Sequence, residues 1–493
     1  MSDFDLREQR IQSAIAKIQA RAERLAEESA LHNFYVDYGP LSRLKGNKNE
    51  IITGRRGTGK THLLKTFLEQ EIISSDRKSL LLYIDCNKLD SGRSSSEIDP
   101  AKEAEIKLNR LCSEIKGFLL IKGTELERPN PKREDAVVDI LTNYDNACSK
   151  YFEGKSPEGS TNITTTLEKA LELLGSDLLV IILDEWVALA DEVQPFFAER
   201  LKRLFFSSKK VCFKIASIDY RSSMRIEKNE RMIGFEKGAD IFYDIDLDDY
   251  LVYDANKEHV EEIFAEILYN HIFFHLPEKN AALSLPRRDK AEFVRKNLFT
   301  TKDALLELVR AGEGVVRDFL QIFTYAYFNH FLLNREEIKI GVLDIRKAAR
   351  DWYQRDKLNA ITGNLRLSDC LSEIIAKVIG DKKARSFMIK QELSRNEIIL
   401  ALYDARLLHL VRRGWSHRKE PGVRYDIFTI DYGAYVEKIN TSSSPQMELF
   451  PEIENGDTDT VPYDDKRTIR SIVLPEDFLT KFEKIAYGTA SKN

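Results

Sequence analysis

The stretch Gly54-Arg55-Arg56-Gly57-Thr58-Gly59-Lys60-Thr61 constrains this chain more than any other. It joins a short apolar run, "EIIT", to a leucine-bearing helical pattern, "THLLKTFLEQ". Glycines at 54, 57 and 59 let backbone N–H groups curl around an anion, and a helix N-terminus adds positive potential. In the spacing G-x-x-x-x-G-K-[ST] the lysine reaches β- and γ-phosphates and the hydroxyl completes a Mg²⁺ shell. The predicted ligand is ATP with Mg²⁺. The predicted contacts are Gly54, Arg55, Arg56, Gly57, Thr58, Gly59, Lys60, Thr61 and His62. Arg55 and Arg56 lie in the variable part of the loop and face either a neighbouring subunit or solvent.

A second feature belongs to the same chemistry. The apolar run "LLVIILDEW" ends in Asp184-Glu185. An aspartate there holds Mg²⁺ together with Thr61, and the adjacent glutamate activates the attacking water. Two adjacent acids closing a buried strand downstream of such a loop are far rarer than one, so nucleotide hydrolysis is expected.

The rest of the first half reads as α/β. Runs at 49–53, 80–85, 178–184, 211–217 and 241–245 are rich in branched and aromatic residues, and helix-length segments separate most of them. That is the pattern of a parallel, doubly covered sheet of five strands. Residues 4–31 read as one helix ahead of it, from apolar positions at helical spacing. Within a long insertion at 87–175, helices are expected over about 100–119 and 134–152. Residues 256–360 read as helical. Over 361–440, helices at 368–378 and 395–406 lead into two strands around a basic turn, the signature of a winged helix. The predicted organisation is an N-terminal helix (1–33), a P-loop core (34–255), a helical lid (256–360), a winged helix (361–440), and an acidic linker with a C-terminal docking segment (441–493).

This order of elements resembles the AAA+ ATPases, particularly the origin-recognition-type initiators and the STAND-like regulators. The likeness covers about residues 34–436 and is carried by "GRRGTGKT" and "LLVIILDEW". The resemblance implies a polar γ-phosphate sensor after the fourth strand, Ser217 or alternatively Asp219. It also implies a lid arginine from a G-x-x-R-D helix start, which is Arg317 in "GEGVVRDFL", although Val316 stands where initiators often carry proline. A trans-acting arginine finger would come from Arg221, Arg225 or Arg231.

In that family the winged helix often grips DNA. Arg412, Arg413, His417, Arg418, Lys419 and Arg424 fall within 13 residues, with Trp415 among them, and such a hairpin places cations at phosphates. The preceding helix, "RNEIILALYDARL", is mostly apolar and offers few base-reading side chains. DNA binding led by the wing and packing against a protein are both open. In the tail, Gln446, Leu449 and Phe450 in "QMELF" resemble the pentapeptide by which bacterial proteins dock on the replication sliding clamp.

The net charge of −5 neither requires nor excludes nucleic acid. Five widely spaced cysteines without a C-x-x-C pair argue against a zinc site or a disulfide framework. The charged N-terminus has no apolar signal region, and "LLVIIL" is too short to span a bilayer. A cytoplasmic protein without membrane contact is expected. The composite reading is an ATP-binding, ATP-hydrolysing protein that couples nucleotide state to DNA through a winged helix. The alternative is an ATP-dependent oligomeric switch or scaffold acting with a protein effector, for example in bacterial anti-phage defence.

Overall fold

The structure, a computed structural model, describes residues 4–18, 31–73, 78–89, 98–125, 131–154, 159–251, 257–332, 338–382, 384–416, 422–436 and 472–484. Five strands form its central sheet: β1 (Glu50–Thr53), β2 (Ser79–Asp85), β3 (Leu178–Asp184), β4 (Val211–Ala216) and, after a hairpin of β5 (Arg225–Lys228) and β6 (Arg231–Gly234), β7 (Phe242–Asp246). The order is β2-β3-β4-β1-β7 with every pairing parallel.

Alternation along each strand divides the sheet into two faces. Ile51 joins the core formed with the insertion helices, whereas Ile52 joins Leu63, Leu64 and Phe67 of the helix Lys60–Ile73. Every residue of β3 is buried, because helices cover it on both sides. The five runs predicted as strands all lie in this sheet, shifted by no more than two residues at either end.

The insertion contains a third helix beyond the two expected. Pro100–Thr124, Pro131–Phe152 and Gly159–Leu173 pack as a group against Gln194–Phe205. The first is launched by Asp99, whose carboxylate accepts from the Ala101 and Lys102 amides ahead of Pro100. The N-terminal helix also differs from expectation. It spans Gln9–Ala16, after a turn closed by Glu8 N–H donating to the Asp5 carbonyl, and residues 19–30 lie outside the described set. Its Ile11 and Ile15 are buried in the same core as the lid, and the Tyr327 hydroxyl donates to the Leu6 carbonyl.

The lid comprises helices Lys257–Phe273, Lys279–Leu283, Arg287–Leu298, Lys302–Ala311, Val316–Leu332 and Val342–Trp352. Beyond it, helices Leu365–Ile375 and Glu397–Asp404 join a sheet of β8 (Ser386–Lys390), β9 (Leu408–Ser416) and β10 (Arg424–Ile430) in the order β8-β10-β9. β8 is a strand the sequence reading lacked. Residues 472–484 run along its outer edge. The Met388 amide donates to the Ile472 carbonyl at 2.7 Å, the Leu474 amide donates to the Met388 carbonyl at 2.9 Å, and Phe478, Leu479 and Phe482 are buried. Among the described residues no helix is long and apolar enough to cross a membrane.

A buried ion pair sits inside the sheet. Lys214 is 0% exposed in the middle of β4, and its ammonium donates to the Gly46 and Lys48 carbonyls and to the Glu50 carboxylate. Lys214→Met leaves Glu50 buried without its cation. A loss of about 3–5 kcal/mol is expected, read as a lowered thermal unfolding midpoint, and adding Glu50→Gln should recover part of it.

Candidate nucleotide site between the sheet, lid and winged helix

β1 delivers the glycine loop to the N-terminus of the helix Lys60–Ile73. Gly54, Gly57 and Gly59 all take positive φ. At Gly57 (φ +88°) a side chain would meet Arg317 Cβ and Val315 Cγ1, each at 2.9 Å. The same residue's carbonyl accepts from the Arg317 amide at 3.1 Å. The loop and the start of the lid helix Val316–Leu332 are therefore in direct contact, with no room for a Cβ between them.

Lys60 lies back over the loop. Its ammonium donates to the carbonyls of Gly54 at 2.7 Å and Arg55 at 2.9 Å. Burial lowers its pKa, while Asp248, Glu185, Asp184 and Asp246 pull it back up. Thr61 occupies the first turn of the helix, half-buried. Asp184, 2% exposed at the end of β3, accepts from the Tyr83 hydroxyl at 2.7 Å and from the Glu185 amide at 2.8 Å. Glu185 has left-handed backbone (φ 53°, ψ 45°) and an outward side chain. Its carboxyl is raised above the ordinary range, first by desolvation and then by Asp184, with Lys60 and Arg56 opposing. Lys60, Asp184 and Glu185 thus feel one another's charge, and Arg56 is exposed on the same side. A loop with three positive-φ glycines, an ammonium resting on its carbonyls and two carboxylates beside it fits a phosphate chain with its divalent cation.

His62 points elsewhere. Its Nε2 donates to the Leu31 carbonyl at 2.9 Å and its ring meets Tyr35 edge-on, so it closes the segment ahead of β1. Ser217, 1% exposed after β4, hydrogen-bonds Ser222 through its hydroxyl, and its amide donates to the Ile52 carbonyl at 2.9 Å. Asp219 and Arg221 both face the winged helix. Asp219 pairs with Arg413 at 2.9 Å and Arg221 with Asp404 at 2.7 Å, while the intervening Tyr220 hydroxyl donates to Asp426 at 2.5 Å. Of the remaining finger candidates, Arg225 and Arg231 are exposed on the β5–β6 hairpin.

Sequence reasoning missed the setting of Arg55. It is 5% exposed. Its backbone amide and Nε both donate to the Asp248 carboxylate, at 2.9 and 2.8 Å, and its Nη1 donates to His409 Nδ1 at 2.9 Å. His409 belongs to β9. A guanidinium only donates, so Nδ1 is the acceptor and Nε2 carries the proton it gives to Asp431 at 2.9 Å. Asp431 in turn pairs with Lys357, and Lys357 with Asp318 at 2.9 Å, the residue after Arg317. Gly314 (φ +76°) completes the enclosure, since a side chain there would meet the Leu251 carbonyl at 2.6 Å and Arg55 Nη2 at 3.1 Å. No local pattern announces this, because the partners lie 193 and 354 residues away.

The wing divides. Arg413 is turned onto the core, bound to Asp219 and Asp246 and stacked over Tyr220 at 5.4 Å. Arg412 lies over Trp415 at 4.4 Å, and Arg424, exposed, donates to the Gly414 carbonyl. The helix Glu397–Asp404 buries Ile398, Ile399, Leu400, Leu402 and Tyr403. His417, Arg418, Lys419, Gln446, Leu449 and Phe450 lie outside the described residues.

The chain thus combines a five-stranded parallel sheet in this order, a glycine loop after β1, a helical lid and a winged helix, an α/β fold that resembles that of the AAA+ proteins. In sequence it resembles the ORC-CDC6-like family, whose profile matches residues 19–106 and so takes in the P-loop. No curated protein matches it. Similar solved structures include Drosophila ORC bound to DNA (12% identity, 89% of this chain, 93% of that chain, TM-score 0.33). Cdc6p from Pyrobaculum aerophilum gives 12%, 87%, 97% and 0.31, and Aeropyrum pernix Orc1 in complex with DNA gives 14%, 87%, 95% and 0.33.

Burial pushes the His409 imidazole down from 6.5 to about 4. The folded chain then binds that proton less readily than the unfolded chain, so His409 costs stability as pH falls from 6.5 through about 4. Thermal unfolding midpoints across that window should fall more steeply for wild type than for His409→Asn, which has no group to titrate there.

Proposed function

We propose that the chain binds ATP with Mg²⁺ at the P-loop, hydrolyses it, and couples its nucleotide state to DNA association through the winged helix. The observation that carries the nucleotide half is the convergence of Lys60, Asp184 and Glu185 on a glycine loop hydrogen-bonded to the lid at Arg317. Bound ATP–Mg²⁺ supplies the scissile phosphoanhydride. Lys60 exchanges its two carbonyl partners for phosphate oxygens, and the Thr61 hydroxyl and Asp184 hold the cation. Glu185, its carboxyl raised and outward-facing, takes a proton from water. Ser217 and Arg317 sense the phosphate end, Arg317 from the lid side. Lys60→Ala should abolish binding of a fluorescent ATP analogue. Glu185→Gln should retain it and lose at least about a hundredfold in phosphate release.

The DNA half is supported by Arg412 and Arg424 on the wing strands and by the cations predicted for the turn between them. With Arg413 held by Asp219 and Asp246 and the helix Glu397–Asp404 largely buried, the contact is to the phosphate backbone and weakly specific. Binding to duplex DNA at low salt should weaken by roughly tenfold or more on raising salt from 50 to 200 mM, and Arg412→Glu with Arg424→Glu should remove it. Absence of DNA affinity at low salt, with and without ATP, sinks this half.

The docking of the wing on the core favours a second reading, an ATP-dependent switch whose output passes to a protein partner or a second copy. Light scattering with a slowly hydrolysed ATP analogue separates the two, since assembly without DNA affinity belongs to the switch.

A further inference from the structure

We propose that His409, a winged-helix residue, positions the phosphate-binding loop by holding Arg55, which makes the docked winged helix a structural part of the nucleotide site. The inference rests on the nucleotide reading of the loop and adds a residue that the loop's own motif does not contain.

The geometry runs in one direction from the wing to the loop. His409 is 1% exposed, and its Nε2–H is committed to Asp431, which leaves Nδ1 fixed in direction as an acceptor. Arg55 spends Nη1 on that nitrogen and Nε on Asp248, so two bonds from different domains orient one guanidinium. The backbone of the same residue is the crown of the loop. The Arg55 carbonyl accepts from the Lys60 ammonium at 2.9 Å and from the Thr58 hydroxyl at 2.9 Å, and its amide donates to Asp248. The guanidinium that His409 holds and the carbonyl on which Lys60 rests therefore belong to one residue, so releasing the side chain loosens a residue that carries the Lys60 contact. The lid turn at Gly314 packs against the guanidinium, since a Cβ there would lie 3.1 Å from Arg55 Nη2.

A positioning role differs from simple adhesion between domains in what each nitrogen does. Asparagine presents an amide oxygen near the Nδ1 position and can accept from Arg55. Glutamine presents its amide near Nε2 and can donate to Asp431 without reaching Arg55. A residue needed only to fix Asp431 within the winged helix, and through it the Lys357–Asp318 link to the lid, would be replaced better by glutamine than by asparagine. A residue needed to hold Arg55 would be replaced better by asparagine.

The test uses the full chain and a fluorescent ATP analogue with Mg²⁺. His409→Ala and Arg55→Met should each weaken binding by about tenfold, the scale of one lost hydrogen bond to a charged group. The double variant should bind no more weakly than Arg55→Met alone, since both remove one interaction. His409→Asn should bind within about threefold of wild type and His409→Gln should resemble alanine. Amide hydrogen exchange in the nucleotide-free protein gives an independent readout. Exchange over residues 54–60 should accelerate in His409→Ala and Arg55→Met and stay near wild type in His409→Asn. Arg55→Met reaches the contact from the loop side and serves if His409→Ala does not fold. Additive losses, equal behaviour of Asn and Gln, or unchanged loop exchange overturn the proposal. Failure of the wild-type chain to bind the analogue overturns the nucleotide reading itself, while the exchange result still decides whether His409 holds the loop.

Discussion

One ammonium group ties three parts of this molecule together. Lys357, 1% exposed in the connection after the lid, stands between Asp318 at the start of the lid helix and Asp431 at the end of the winged-helix sheet. Arg406 adds a second cation to Asp318 at 2.5 Å, and the Trp352 indole N–H donates to the same carboxylate. Both acids stay ionised in the interior. Burial, the largest single influence, would raise them, but Lys357 together with Arg406 at Asp318 and with His409 at Asp431 outweighs it, and Asp431 falls to about 2. A buried cluster of this kind adds little net stability over an apolar one, yet removing any one member strands the rest. Its value lies in specificity. The placement of the winged helix that pairs Asp431 with Lys357 also brings His409 to Arg55.

The contacts of the core with the winged helix follow from that placement. Tyr220–Asp426, Arg221–Asp404 and Arg413–Asp219 all engage the turn that follows β4, the turn that begins at Ser217. Both loops at the C-terminal ends of the central strands, after β1 and after β4, thus touch the same domain. Ligands of parallel α/β sheets bind at these strand ends, and the winged helix lies against two of them.

Much of the core was legible because its determinants are local. Five apolar runs, a glycine spacing and an acid pair need no knowledge of distant residues. β8 has no counterpart in the sequence reading, since "SFMIK" is a short run flanked by charged residues and stands beside helical patterns. The helix Gly159–Leu173 likewise has no counterpart, because glycine and serine open it and mark a break there. From sequence Arg413 reads as a cation of the wing, and Arg55 as a loop residue facing a neighbouring subunit or solvent. Their partners, Asp219, Asp246, Asp248 and His409, are ordinary residues in sequence, and only the fold brings them within hydrogen-bonding distance. Lys214 is the same case inside a strand, a lysine in "VCFKIAS" whose partner Glu50 sits on the neighbouring strand.

The segment at 472–484 bears on the order in which the chain is made. β8 receives its outer hydrogen bonds from residues 472–474, which follow β10 by more than forty residues. During synthesis the three-stranded sheet must therefore wait with one margin open, and an open margin pairs readily with any extended chain nearby. The outer margin of β8 is therefore closed only once residues 472–474 have been made, more than forty residues after the sheet's last strand.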